Sequence, residues 1–257
     1  MQGKDFRSAV TRQQPLMGTF VKTPSPHGTE IIGGVGLDFV VIDAEHAPFD
    51  KSAIDLGVLA AHAHGITAMV RVGGIDGILN ALDCGATGVM VPHIDSPAAA
   101  RAAADAARYR PGRRGFSSSG RSGRYGRNKF SEHMSQSDGQ TTVVAMLEDA
   151  DAIGQIEGIV AVDGIDAFFL GRGDLTAALG ASASSDQIVQ DAVVRLAQAV
   201  RKAGKPLWAY SGGTAELKYL AELGVSGFIV SSDQGFMRRA AETDLQAFRA
   251  AMPPSAA

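Results

Sequence analysis

The chain has 257 residues, 45% of them apolar, and sets 24 lysines and arginines against 27 aspartates and glutamates for a net charge of −3. That length and apolar content suffice for a sizeable core in one large domain or two small ones, and the near balance of charge gives no general attraction to nucleic acid or to an anionic membrane. A single cysteine, Cys84, excludes an internal disulfide and a cysteine-built metal site and fits a reducing cytoplasm, and no run approaches the roughly 18 to 20 apolar residues of a membrane span.

Apolar, β-branched or aromatic runs at 16–22, 37–43, 67–72, 88–94, 142–148, 166–171, 206–210 and 227–232 predict eight strands. Helical spacing fills the gaps, as with Ile54, Val58, Leu59 and His62 over 50–64, or Ile188, Val193, Leu196 and Val200 over 185–203. Strands that are apolar almost throughout are those buried on both faces, as in a parallel sheet covered by helices. Eight such units predict one domain over 1–257 built as a closed (β/α)8 (TIM) barrel, with an open doubly wound sheet as the alternative. Gly36, Gly85 with Gly88, Gly164, and Gly224 with Gly227 precede strands and read as helix stops and tight turns. Gly33-Gly34-Val35-Gly36 lacks the spacing of a dinucleotide fingerprint and leads into a strand instead of a helix.

The stretch from about 110 to 140 breaks the rhythm with an arginine-, glycine- and serine-rich insertion carrying Arg110, Arg113, Arg114, Arg121, Arg124 and Arg127. A solvated, flexible loop is one reading. A lid, or an arm that lends a guanidinium to a neighbouring subunit, is a second, and an RNA- or partner-binding arm is a third. By connectivity the insertion starts on the face opposite the expected pocket, which counts against a simple lid. A short flexible tail is expected to close the chain.

In a parallel α/β barrel the carboxyl ends of all strands open onto one face, so ionisable residues recurring there converge. Glu148 and Asp174 leave consecutive predicted strands, and two carboxylates with open positions for water and substrate oxygens suit Mg²⁺ or Mn²⁺. The plain alternative is that each caps a following helix. His46, in Asp43-Ala44-Glu45-His46-Ala47-Pro48 at the end of the second strand, can move a proton near neutral pH, with acidic neighbours to orient it. Arg71 sits in an apolar run where a guanidinium needs an anionic partner. His93 follows the fourth strand on the same face and is expected to support the site. Lys22, at the end of the first strand, would form a Schiff base if the protein were a metal-independent aldolase. Together the residues describe a metal-assisted enolate site for a 2-oxo acid.

The run Asp43-x-Glu45-His46-x-Pro48, then Val70-Arg71, LDCGATGVMVP at 82–92, RYRPGRRG at 108–115, Glu148 and Gly171-x-x-Asp174-Leu175 is similar to the class II pyruvate aldolases of the 4-hydroxy-2-oxoheptanedioate aldolase type, in the aldolase/citrate lyase superfamily. The resemblance covers about residues 15 to 245. It implies a (β/α)8 barrel, a divalent metal (Mg²⁺, Mn²⁺ or Co²⁺) on Glu148 and Asp174, and pyruvate at that metal. It also implies Arg71 at the keto oxygen, His46 as acid and base, and the backbone from Gly171 through Gly173 to Asp174 around the substrate carboxylate. Asp83 matches an acidic position that pairs with the histidine, within the chain or across a subunit boundary, and Glu45 one that orients metal-bound water, with Asp43 supporting. The implied reaction is reversible cleavage of a 4-hydroxy-2-oxo acid into pyruvate and an aldehyde. The implied assembly is a homohexamer, a trimer of dimers exchanging the last helix. Three departures stand out: Arg172 where many members have proline, Met146 where several have glutamine, and the arginine content of 113–127. They make a citrate-lyase-like CoA-thioester lyase the nearest rival.

Overall fold

A computed structural model of the chain describes residues 4–252; the expected C-terminal tail lies largely outside them. Eight strands, β1 (Leu16–Val21), β2 (Phe39–Asp43), β3 (Thr67–Arg71), β4 (Gly88–Val91), β5 (Thr142–Leu147), β6 (Ala167–Leu170), β7 (Leu207–Ser211) and β8 (Val225–Ser232), pair in parallel in sequence order. β8 closes on β1, giving the closed eight-stranded arrangement of a (β/α)8 barrel. The open sheet is thereby excluded, and each strand lies within two or three residues of its expected bounds. The expected turn glycines Gly36, Gly85, Gly164 and Gly224 have φ between 91° and 97°, the left-handed region in which a side chain is strained.

Helices α1 (Lys4–Thr11), α2 (Pro26–Val35), α3 (Lys51–Ala63), α4 (Gly77–Asp83), α5 (Pro97–Ala107), α6 (Phe130–Gln140), α7 (Ala150–Val160), α8 (Arg172–Ala178), α9 (Gln187–Lys202), α10 (Leu217–Glu222) and α11 (Asp233–Ala251) complete the order. Those between strands carry the chain back from the carboxyl face to the amino face. In α9 the buried stripe is Val189, Val193, Leu196 and Val200, whereas Ile188 is exposed. In α3, Ile54 and Val58 are buried but Leu59 and His62 are exposed, so the expected stripes were too wide by one residue in α9 and two in α3. Among the described residues, no helix is long and apolar enough to cross a membrane.

Alternation along the strands divides the core in two. Val40, Ile42, Val143 and Ala145 face outward into the layer between barrel and helices, and Phe39, Val41, Val144 and Met146 fill the barrel itself. Phe39 and Trp208 meet in the interior with ring centroids 4.9 Å apart, in room left by Gly18 and Gly227. Helix α1 was not foreseen. It closes the amino end of the barrel: Phe6, fully buried, stands 5.6 Å from the Phe39 ring, and Arg7 ties the helix to Asp166 at 2.8 Å.

The insertion is docked and partly helical, which corrects the expectation of a loose loop. Its last third is α6, whose Asp138 accepts the backbone N–H groups of Tyr109 and Arg110 at 2.7 and 2.9 Å. Phe130 packs on Phe116 at 4.3 Å between centroids, and Tyr109 hydroxyl meets His133 Nε2 at 3.2 Å. Arg114 bonds Asp83 at 2.8 Å and Arg121 bonds Asp55 at 2.7 Å, so two of the six arginines are engaged within the chain. The segment lies between α5 and β5, at the amino end of the barrel, and cannot cover the carboxyl face of its own chain.

Truncating the plug tests this account. Phe6→Ala is expected to lower unfolding free energy by about 3 to 5 kcal/mol, the usual loss for a fully buried phenylalanine, measured by urea denaturation at unchanged secondary structure; a loss under about 1 kcal/mol would show that α1 does not seal the barrel.

Candidate active site at the carboxyl ends of the strands

The inward-facing positions of four strands end in charge. Phe20, Val41, Met69 and Met146 line the barrel interior, and two residues beyond each stand Lys22, Asp43, Arg71 and Glu148. Because strand side chains alternate with period two, these four form the topmost layer of the interior. Asp43 and Arg71 are Cα partners in the register of β2 with β3.

Asp43 is fully buried, and every contact it makes is charge-assisted or from a backbone amide. Arg71 Nε and Nη2 donate to its two oxygens at 2.9 and 2.6 Å, and Lys22 Nζ lies 3.0 Å from Oδ2. Oδ1 also accepts the backbone N–H groups of Glu45 and His46 at 3.3 and 3.1 Å, fixing the loop after β2. Burial alone would raise the Asp43 pKa; the Arg71 guanidinium, the His46 amide and Lys22 outweigh it and bring the value down to about 2. The Arg71 guanidinium lies over the Phe20 ring at 4.7 Å, and Glu45 Oε2 comes within 3.4 Å of its Nε. Lys22 Nζ is thus held against a buried carboxylate instead of standing free in an apolar pocket as Schiff-base chemistry requires.

Glu148 is also buried but poorly satisfied. Its Oε1 accepts the backbone N–H of His93 at 2.9 Å; its Oε2 is buried and, among the described residues, has no hydrogen-bond partner. Burial first, then repulsion from Asp174 and Glu45, push its pKa up to about 7 against the opposing pull of the His93 amide and ring. The orphaned oxygen faces the β6–α8 turn: a side chain on Gly171 would place its Cβ 2.6 Å from Oε2. Asp174, whose charge Glu148 feels, stands in the first turn of α8. His93, Glu148 and Asp149 also offer one ligand atom each within 4.8 Å of one another. There, however, His93 Nδ1 is already bonded to the Asp149 carboxylate at 3.2 Å, and Glu148 turns its occupied oxygen that way. The other oxygen, Oε2, faces Gly171, the residue just before α8, whose first turn carries Asp174. A hard cation fits this donor set, since it would give an unpartnered carboxylate oxygen a partner and offset the repulsion between acids.

Lys22, His46, Arg71, Gly171, Gly173 and Asp174 line a common cavity of about 510 Å³, and Arg172, Tyr210 and Glu216 line it too. The His46 side chain is half exposed, with Nε2 3.6 Å from Glu45 Oε2. Asp83 is the one expected site residue that the chain does not bring here. It ends α4 at the amino side of the barrel, bound to Arg114. His93 earns more than its expected supporting place, touching Glu148, Asp149 and, at 3.9 Å, Glu45. Its φ of +54° turns the ring back over the site, a conformation uncommon outside glycine and absent from any sequence signal.

A model of the HpcH/HpaI aldolase/citrate lyase family matches residues 16–212. The chain belongs to that family. It is 34% identical to a 2-dehydro-3,6-dideoxy-6-sulfogluconate aldolase of Pseudomonas putida, over 96% of this chain and 98% of the relative. It is 30% identical to a 5-keto-4-deoxy-D-glucarate aldolase of Klebsiella pneumoniae, over 95% and 96%, and 35% identical to a 4-hydroxy-2-oxovalerate aldolase of Rhodococcus jostii, over 78% of each. Among solved structures, an HpcH/HpaI aldolase/citrate lyase family protein from Burkholderia cenocepacia superposes with a TM-score of 0.91 at 28% identity, covering 96% of this chain and 99% of the other. The resemblance read from the motifs is therefore shown, and this HpcH/HpaI member is an enzyme of the carbon–carbon lyase class.

The Asp43 network sets a pH dependence for this aldolase-family barrel. A carboxylate with a folded pKa of about 2 stabilises the fold fully above its unfolded value, and the contribution is lost as pH falls through about 2. The contribution is about 2 to 3 kcal/mol by linkage. Asp43→Asn is expected to lose at least that much at neutral pH and to flatten the stability profile between about pH 4 and 2; an unchanged acid limb in denaturant titrations would sink the assignment.

Proposed function

We propose that the protein reversibly cleaves a 4-hydroxy-2-oxo acid into pyruvate and an aldehyde as a divalent-metal-dependent aldolase. The observation that carries this reading is the buried, unpartnered Oε2 of Glu148, facing Gly171 just before the helix turn that bears Asp174, in the same cavity region as the Asp43-held guanidinium of Arg71. Glu148 and Asp174 would hold Mg²⁺, Mn²⁺ or Co²⁺, which supplies Lewis-acid polarisation of the 2-oxo group when bound. The sugar-acid and oxo-acid names of the relatives support a 2-keto-3-deoxy acid as the broader substrate type.

The chain's own groups account for the remaining steps. Asp43 engages Nε and Nη2 of Arg71, so Nη1 is available to the 2-oxo oxygen. The substrate carboxylate is assigned to the backbone amides of Gly173 and Asp174, beside Gly171. As the C3–C4 bond breaks, His46 takes the proton of the C4 hydroxyl, C4 becomes the aldehyde carbonyl, and the bonding pair moves toward C2, leaving charge on the oxygen beside Arg71. His46, directly or through a water, then returns that proton to C3 and completes pyruvate. Glu45, 3.6 Å from His46 Nε2 and 3.4 Å from Arg71 Nε, can orient water between them. Asp83, engaged with Arg114 in its own chain, could reach His46 only from a neighbouring subunit. Met237, Leu245 and Phe248, exposed along α11, support the packing of that helix against another copy in the expected hexamer.

Deuterium exchange at C3 of pyruvate, followed by NMR, tests the reading without knowledge of the aldehyde. Exchange is expected with added Mg²⁺, Mn²⁺ or Co²⁺ and not under chelator. Metal at a hundred times its Kd should stabilise the fold by about 2.7 kcal/mol, and Glu148→Gln should lose both this shift and the exchange. Full exchange by Glu148→Gln in chelator would overturn the metal assignment. His46→Ala, in contrast, is expected to keep the metal-induced Tm rise while exchange slows by roughly 10²- to 10⁴-fold; wild-type exchange in that variant would remove His46 from the proton path.

A further inference from the structure

We propose that the ion pair between Arg172 and Glu216 reads hydroxyl groups on the aldehyde half of the substrate, so that the protein selects a hydroxylated aldehyde over an alkyl one. The inference rests on the aldolase reading above and concerns other residues lining the same cavity.

Arg172 is the first residue of α8, a position where proline is at home. The family pattern often places proline there, so the backbone has no need of arginine. What this chain gains is the side chain, which crosses from the β6–α8 turn to the connection after β7. Its Nη2 donates to Glu216 Oε2 at 2.9 Å and to the Tyr210 carbonyl at 3.0 Å, and Nη1 reaches Glu216 Oε1 at 3.4 Å. The Arg172 side chain is 13% exposed and that of Glu216 49%. Glu216 is thus a carboxylate anchored from one side and open from the other, and both residues line the cavity.

A cavity of about 510 Å³ exceeds what a three-carbon oxo acid fills; such an acid takes the place of a few waters at roughly 30 Å³ each. Besides the pair, the cavity lining includes Ser184, Ser231 and Ser232. A matched guanidinium and carboxylate carry no net charge, so they give little reward to a bare anion. They do present acceptor lone pairs and spare N–H donors side by side, and a hydroxyl donates and accepts at once. An alkyl group in the same place would displace water from both ions and return no hydrogen bond.

The test measures kcat/KM for glyceraldehyde and for propanal as partners of pyruvate, in the wild type, Glu216→Leu and Arg172→Pro, each normalised to that protein's own C3 exchange rate. Comparing the glyceraldehyde-to-propanal ratio between proteins cancels the intrinsic reactivity of the two aldehydes. The ratio is expected to fall by about 10- to 100-fold in the variants, the worth of a hydrogen bond to a charged group, with the loss in KM for glyceraldehyde. A ratio within twofold of wild type in a variant that still exchanges C3 overturns the proposal, as does an equal loss for both aldehydes, which marks a merely structural pair. Absence of exchange in the wild type overturns the aldolase reading and this proposal with it, whereas exchange with an unmoved ratio overturns this proposal alone.

Discussion

The bidentate bond between Asp43 and Arg71 constrains most of what surrounds it. A fully buried carboxylate and an almost fully buried guanidinium are tolerable only if each satisfies the other in good geometry. That geometry is available because their strands are neighbours and the two Cα atoms are in register. Asp43 then has acceptor capacity left over, which it uses on Lys22 and on the amides of Glu45 and His46. One ion pair thereby orients a guanidinium, an ammonium and the loop that carries the histidine. Loss of Asp43 would leave Arg71 with Glu45 as its nearest anion and would free the His46 loop, so stability and positioning are carried by the same atoms.

The barrel was legible because its strands are covered on both faces, and such strands are written as unbroken apolar runs that need no periodicity to be found. The charged layer was legible for a related reason: an ionisable residue directly after such a run has nowhere to go except the carboxyl face. This is how Arg71 and Glu148 could be placed from spacing alone. The role of Asp43 was less evident, since Asp43, Glu45 and His46 stand within four residues and only the inward parity of Phe39 and Val41 separates the buried acid from its more exposed neighbours. His93 escapes the parity argument, because its left-handed backbone breaks the alternation. Helix α6 was hidden by its composition: Phe130-Ser-Glu-His-Met-Ser-Gln-Ser-Asp-Gly-Gln has little apolar periodicity and is held by Asp138, His133 and Phe130 against the segment before it. Helix α1 is eight residues long and became legible only through what it covers.

The two ends of the barrel are finished by different physics. At the amino end, charge is used to close: Asp166 receives Arg7, Arg108 and the Val143 amide, Asp83 receives Arg114, and Phe6 fills the opening beneath. Each of these carboxylates has a cation of its own chain beside it. At the carboxyl end, Glu148 is left with an oxygen that no described residue satisfies, and the acids Glu45 and Asp174 stand near enough to raise its pKa. That asymmetry is what separates the structural end of the molecule from the chemical one, and it agrees with the general placement of chemistry on this face of parallel barrels.

Gly171 ties the remaining pieces together. Without a side chain, residue 171 lets the start of α8 pass close over the buried Oε2 of Glu148. A larger residue at 171 would meet the Glu148 side chain, so either that side chain or the backbone at 171 would have to move. The adjoining position, Arg172, then bonds Glu216. The same short segment therefore packs on Glu148 through Gly171 and lines the cavity through Arg172. Variation at 172 can alter that lining without disturbing the acids, because the contact that matters to Glu148 is made by the residue before it.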